Sequence, residues 1–160
     1  MKNNSITVVI TTFNDSNYII EFLDGIRYQT LIPASIVIID GGSRDDTVKL
    51  VKQYSKSSDL NVDIVSDGRK NIAEGFNYGI KHINTEWVLL MGTGNSYNNR
   101  FIEELANSGN HYKDKVIYSS IVGVNKTRFG FVFNKYFLNG NGGGDHGASN
   151  HGVLIHNSIF

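Results

Sequence analysis

The chain has 160 residues, 40% of them hydrophobic and 19% charged, a composition that fits one globular domain (residues 1–160) and excludes a disordered chain. Fifteen lysines and arginines balance fifteen aspartates and glutamates, so no net field draws the protein to nucleic acid or to an anionic membrane. Cysteine is absent, which excludes disulfides and thiolate metal sites.

Ile6 to Thr12 is a short, β-branched, nearly all-apolar run, the pattern of a strand buried on both faces of a parallel sheet. Asn14, Asp15 and Ser16 offer capping oxygens, and Ile19, Ile20, Leu23 and Ile26 at helical spacing predict a helix over residues 16–29. A second buried strand spans Ser35 to Asp40. Ser43 then reads as an N-cap, with Asp46 three residues on as an approximate capping box, for a helix ending near Lys56. Asp45 and Asp46 suit the positive end of that helix. A third strand is expected over residues 61–66, a third helix over residues 72–82 and a fourth, almost wholly apolar strand over residues 86–91. This βαβαβαβ order predicts an α/β fold of three layers, α/β/α, around a mostly parallel sheet.

Beyond Gly94 the pattern changes. A short helix over residues 98–107 is followed by two strands, residues 115–124 and 127–136, read as a hairpin turning at Asn125 and Lys126. Residues 139–152 are rich in glycine and lack periodicity, as in a loop over a binding site. A final strand covers Val153 to His156. Met1 to Asn4 lead straight into the first strand, without the apolar stretch of a signal peptide, and no run approaches the ~20 apolar residues of a spanning helix.

Ligands of open parallel sheets bind beyond the carboxyl ends of the strands. The segments leaving those ends are TTFND (residues 11–15), DGGSRDD (40–46), SDGRKN (66–71) and MGTGNS (91–96). A dinucleotide fingerprint is missing, because Thr11, Thr12, Phe13 and Asn14 follow the first strand where glycines are required; a P-loop is missing as well.

These segments resemble family-2 glycosyltransferases, which have the GT-A fold and transfer a sugar from a nucleotide diphosphate with inversion. VVITTFND (residues 8–15) matches the family's I-P-T-Y-N. YQTLIP (28–33) and IIDGGSRDDT (38–47) match its Q-T, proline and V-V-D-D-G-S-x-D-x-T. IAEGFNYGI (72–80), TEWVLLMG (85–92) and SNHGVLIHNSIF (149–160) match later segments, so the resemblance covers nearly the whole chain. It implies that Thr12, Phe13, Asn14, Asp40 and Asp67 line a base and ribose pocket. Arg69 and Lys70 would meet the diphosphate, and Gly92, Gly94 and Asn95 would lie at the family's D-x-D motif. It implies a Mg²⁺ or Mn²⁺ cofactor, yet Gly92, Thr93, Gly94 and Asn95 carry no carboxylate where the family holds that ion. Three readings stay open. The diphosphate is stabilised by Arg69, Lys70 or Arg100 and a helix N-terminus near Asn98; or Asp145, His146 or His151 holds a metal, although His146, His151 and His156, spaced by five, form no short chelating motif; or the domain has lost its donor site. No residue matches the family's catalytic base, and the chain reads as truncated at its C-terminal end.

The implied activity is glycosyl transfer in cell-surface polysaccharide or glycolipid assembly, in the cytoplasm or at the inner membrane face. The partners are a nucleotide-sugar donor, UDP-sugar favoured, and a saccharide or lipid-linked acceptor; a second copy of the chain on an uncovered sheet face is a further candidate. A non-catalytic nucleotide- or partner-binding relative is the alternative. A nucleotidyltransferase is disfavoured, because TTFND lacks the glycine- and basic-rich loop that such enzymes carry after the first strand.

Overall fold

A computed structural model describes residues 5–66, 71–81, 83–93, 97–112, 116–118, 121–127, 130–136 and 152–160. Among the described residues, eight strands and four α-helices follow in the order β1 (Ile6–Thr12), α1 (Ile19–Arg27), β2 (Ser35–Asp40), α2 (Thr47–Ser57), β3 (Val62–Ser66), α3 (Ile72–Ile80), β4 (Trp87–Gly92), α4 (Phe101–Tyr112), β5 (Val116–Tyr118), β6 (Ile121–Thr127), β7 (Gly130–Tyr136) and β8 (Val153–His156), with a 3-10 turn at Asn157–Ile159. A six-stranded sheet runs β3-β2-β1-β4-β8-β5, and β6 and β7 form a separate antiparallel pair. Strands β3, β2, β1 and β4 are mutually parallel; β8 is antiparallel to β4 and β5. The mostly parallel α/β architecture expected from the sequence is the one observed.

The two faces of the sheet are read off the alternation within each strand. Ile6, Val8 and Ile10 of β1, with Ile36, Ile38, Leu89, Met91 and Leu154, share one apolar cluster with α1, α2 and α4. Val9, Val88, Leu90 and Val153 pack on the other face against Phe76 of α3, together with Ile80, Ile83 and Ile155. Burial on both faces is why these strands read as unbroken apolar runs. Helix α3 lies close on β1 and β2 through its glycines: a Cβ on Gly75 would stand 2.8 Å from Thr11 Cγ2, and one on Gly79 2.6 Å from Val9 Cγ1.

Several boundaries differ from the sequence reading. Helix α1 begins at Ile19 rather than Ser16, because residues 16–18 form a turn in which Asp15 O accepts from the N–H groups of Tyr18 and Ile19. Helix α2 begins at Thr47, and Ser43 is not its cap: the Ser43 hydroxyl turns back to Asp40, and Asp46 at the N-cap makes no side-chain capping bond. Helix α3 is capped by Asn71, whose Oδ1 accepts from Ala73 N at 2.9 Å. Helix α4 starts three residues later than expected and runs longer. The strand expected over residues 115–124 is two strands in different sheets, and Asn125 and Lys126 do not turn: they lie within β6, opposite Val132 and Phe131. The last strand has the bounds read from sequence. The glycine-rich stretch lies outside the described residues up to residue 151.

Candidate functional site

Register sets the site. Thr12 pairs with Asp40, Asp40 with Ser66, and Thr11 with Gly92, so the carboxyl ends of the four parallel strands are level along one edge. The segments leaving that edge are then bound to each other, mostly through short polar side chains meeting backbone N–H groups.

Asp40 is fully buried. Its carboxylate accepts from the N–H groups of Gly42 and Ser43 at 3.1–3.2 Å, from the Ser43 hydroxyl, and from the Ser66 hydroxyl at 2.6 Å. A buried carboxylate is tolerable only with such a complement of donors. The turn it organises bends at Gly42, whose φ of 90° suits glycine.

Asn14 sits in the left-handed region at φ 54°, which asparagine accepts better than most residues. Its N–H donates to Ser43 Oγ and its Oδ1 accepts from Arg44 N, both at 2.8 Å. Asp15 N donates to Thr47 Oγ1 at 2.8 Å, and Ser16 N to Asp45 Oδ2 at 3.1 Å. The residues read from sequence as helix caps therefore stitch the post-β1 loop to the start of α2, Asn14 through its N–H and side chain and Asp15 and Ser16 through their N–H groups. The Thr47 hydroxyl, with the Ser16 and Thr47 N–H groups, outweighs desolvation and holds the Asp45 carboxyl well below the usual carboxylate range.

Phe13 stands 59% exposed at the tip of this loop, outside the core. Thr12 beside it is buried, and its hydroxyl donates to Asp15 Oδ2 at 2.8 Å; the same oxygen accepts from Thr93 Oγ1 at 2.7 Å. Farther along, Gln29 is buried between α1 and α4. Its Nε2 donates to Gly25 O and Asn98 O, and its Oε1 accepts from Ile102 N. Tyr97 packs between Phe22 and Phe101, with ring centroids 6.1 and 4.7 Å away. Arg100 pairs with Glu103 at 3.2 Å. The Thr30 hydroxyl and then Arg100 lower the Glu103 carboxyl.

Of the residues expected at the site, Thr12, Phe13, Asn14, Asp40 and Gly92 come together at this edge; Asp67, Arg69, Lys70, Gly94 and Asn95 lie outside the described residues. His156 is elsewhere. It pairs with Trp87 at the opposite end of β4 from Gly92, about 16 Å away at ~3.3 Å per residue. There it shares a hydrogen with Ser158 Oγ and stands edge-on to the Trp87 ring. Asp15, Thr93, Ser66 and Gln29 were not singled out as site residues from sequence. Asp15, Ser66 and Thr93 lie in the segments read as leaving the strand ends and Gln29 in the matched YQTLIP, and the Thr12–Asp15 spacing of three lets those two side chains meet across one turn.

A divalent ion does not fit the described donor set. Gly92 and Thr93 present no anionic oxygen, and no group of three His, Asp or Glu side chains among the described residues converges to hold a metal. Asp15 is the carboxylate tied to this segment, and one of its oxygens is already held by two hydroxyls.

Comparison with known proteins agrees with this architecture. Glycosyl transferase family 2 matches residues 7–155. The O-antigen chain rhamnosyltransferase RfbN of Salmonella typhimurium is 38% identical over 58 residues, covering 36% of this chain and 18% of that protein. A dolichyl N-acetyl-α-D-glucosaminyl phosphate 3-β-D-2,3-diacetamido-2,3-dideoxy-β-D-glucuronosyltransferase of Methanococcus voltae is 30% identical over 92 residues, 56% of this chain and 29% of that one. The chain thus spans less than a third of either relative. Among solved structures, the mannosyltransferase PcManGT of Pyrobaculum calidifontis, in complex with GDP-Man and Mn²⁺, superposes with a TM-score of 0.67 at 21% identity, over 71% of this chain and 34% of that one. Staphylococcus aureus TarS with UDP-GlcNAc gives 0.64 at 21% identity, over 71% and 33%. These likenesses show the GT-A fold. With the level strand ends, the buried Asp40 turn and the family match over residues 7–155, the chain belongs to glycosyl transferase family 2.

Proposed function

We propose that this chain is the donor-binding core of an inverting glycosyltransferase, which passes a sugar from a nucleoside diphosphate to a saccharide or lipid-linked acceptor in cell-surface polysaccharide or glycolipid assembly. The observation that carries the reading is the level polar edge formed by Thr12, Asp40, Ser66 and Gly92 in a family-2 chain. The solved relatives with UDP-GlcNAc and GDP-Man support a sugar nucleotide as ligand, and a UDP-sugar is the donor we favour.

In this reading the exposed Phe13 ring takes the base by stacking, and Asn14 holds the loop that presents it. Asp40 supports the pocket from below by fixing the Gly42–Ser43 turn. A base N–H or ribose hydroxyl reaches its carboxylate by displacing the hydroxyl of Ser43 or Ser66, the two donors free to rotate away. Asp67 completes the ribose side. Arg69 and Lys70 provide the positive charge that the diphosphate needs as it leaves, Gly92, Gly94 and Asn95 contribute to binding the nucleotide-sugar, and no step is assigned to a metal. The reaction is in-line displacement at the anomeric carbon by an acceptor hydroxyl. We assign no catalytic base to this chain. A cytoplasmic setting, with the acceptor at the inner membrane face, follows from a lipid-linked acceptor; no helix among the described residues is long and apolar enough to cross a membrane.

The lack of carboxylates at Gly92 and Thr93 favours one second reading, a nucleotide-binding relative without turnover. Calorimetric titration with UDP, GDP and CDP, with and without Mn²⁺, followed by a hydrolysis assay on the matching sugar nucleotide, separates the two. Metal-independent binding of one nucleotide with slow donor hydrolysis is the expected result. Binding without any hydrolysis selects the second reading, and failure of all three nucleotides to bind overturns both.

A further inference from the structure

Several described residues hold the segment leaving β4, among them Tyr97, whose hydroxyl lies 3.4 Å from both the N and the O of Gly92. The far anchor is partly buried: Tyr97 sits between two aromatic rings, and Gln29 bonds Asn98 O and Ile102 N. The near one is the carboxylate of Asp15, whose Oδ2 holds the hydroxyls of Thr12 and Thr93 at once, at 2.8 and 2.7 Å. Asp15 is itself fixed on three further sides, since its N–H goes to Thr47 Oγ1 and its carbonyl receives two N–H groups at the entrance to α1. One residue thereby joins the loop that follows β1 to the start of α2 and to the segment that follows β4.

We propose that Asp15 is a positioning residue of the donor site. Through Thr93 it pins the Gly92–Thr93 backbone against the post-β1 loop, so that the sugar-diphosphate end of the donor meets a fixed surface where this sequence supplies no carboxylate of its own. The proposal rests on the donor-binding reading above. Two hydrogen bonds on one oxygen restrict both loops together. What the strut needs is an acceptor oxygen in place; a net negative charge is not required. Asparagine can supply that oxygen and alanine cannot.

The experiment uses Asp15→Ala, Asp15→Asn and Thr93→Val, the last being isosteric and sparing the fold. Residue-resolved amide hydrogen exchange follows Gly92 and Thr93, and calorimetry compares intact UDP-sugar with UMP. Asp15→Ala and Thr93→Val are each expected to speed exchange at residues 92–93 about ten-fold, leaving β2 and β3 unchanged. Both weaken the UDP-sugar about ten-fold and UMP less than two-fold. Asp15→Asn restores both properties, and the Asp15→Ala/Thr93→Val pair is no worse than either single change. Unchanged exchange in Thr93→Val overturns the proposal. So does Asp15→Asn behaving like Asp15→Ala with loss of a Mn²⁺-dependent affinity, which would make Asp15 a cation ligand. If the unsubstituted chain binds no nucleotide, the donor-binding reading fails, and the exchange rates alone decide whether Asp15 holds the segment.

Discussion

Asp40 concentrates the largest single-residue cost at this edge. Replacing it with asparagine keeps the shape but points an NH₂ group at one side of a carboxylate that now receives only donors. Asp40→Asn should lower the unfolding free energy by about 3 kcal/mol, whereas Ser66→Ala, removing one donor, should cost about 1 kcal/mol; urea denaturation measures both. Phe13→Ala should behave oppositely. With the ring 59% exposed, stability should change by less than about 0.5 kcal/mol, while nucleotide affinity should fall about ten-fold, readable by titration. Asp45 gives a pH dependence. Its folded carboxyl titrates below the ordinary value of about 3.9, so its contribution is present above that pH and is lost as the pH falls through the folded value. Acid unfolding followed by circular dichroism should therefore be less steep below about pH 4 in Asp45→Asn. At this scale, the loop carrying Thr12, Phe13 and Asn14 was legible because it leaves a recognisable strand end. The partners of Asn14, Asp15 and Ser16 were not legible: each side chain could have capped its own helix, and what engages them instead are groups 29 to 32 positions away, along with Thr93. No local pattern encodes that choice.

Helix α3 tests packing against propensity. Glycine in a helix interior costs about 1 kcal/mol relative to alanine, so a substitution is favourable unless space forbids it. At Gly79 an added Cβ meets Val9 Cγ1 at 2.6 Å, and the overpacking of about 1–3 kcal/mol should exceed the gain. At Gly25 of α1 nothing lies within 4 Å, and Gly25→Ala should stabilise by up to about 1 kcal/mol. Thermal melts of the two variants should shift in opposite directions. The elements of the parallel half were readable because both-face burial leaves uninterrupted apolar runs and helical spacing between them. The stretch after α4 was harder. β-Propensity marks residues 116–127 as extended but says nothing about which sheet each part joins, so β5 and β6 merged into one expected strand. Asn125 and Lys126 resemble turn residues, yet their place is fixed by pairing with β7.

Across the whole molecule, the family assignment and the polar edge depend on a sheet whose strands are not laid down in spatial order. The parallel strands β3-β2-β1-β4 form a contiguous block whose connections are helices. The last strand of the described residues, β8, then enters between β4 and β5 and is the only partner of β5 in the sheet among them. This has a consequence for the order in which the protein can be born. On the ribosome, everything through Gly92 can dock while the chain is still growing, but the flank of β4, with Trp87 to Met91 all buried in the finished protein, has no neighbour until Val153 to His156 have cleared the exit tunnel. The nascent protein thus passes through an interval with an unpaired strand edge, during which chaperones and neighbouring nascent chains compete for the place that four late residues eventually take.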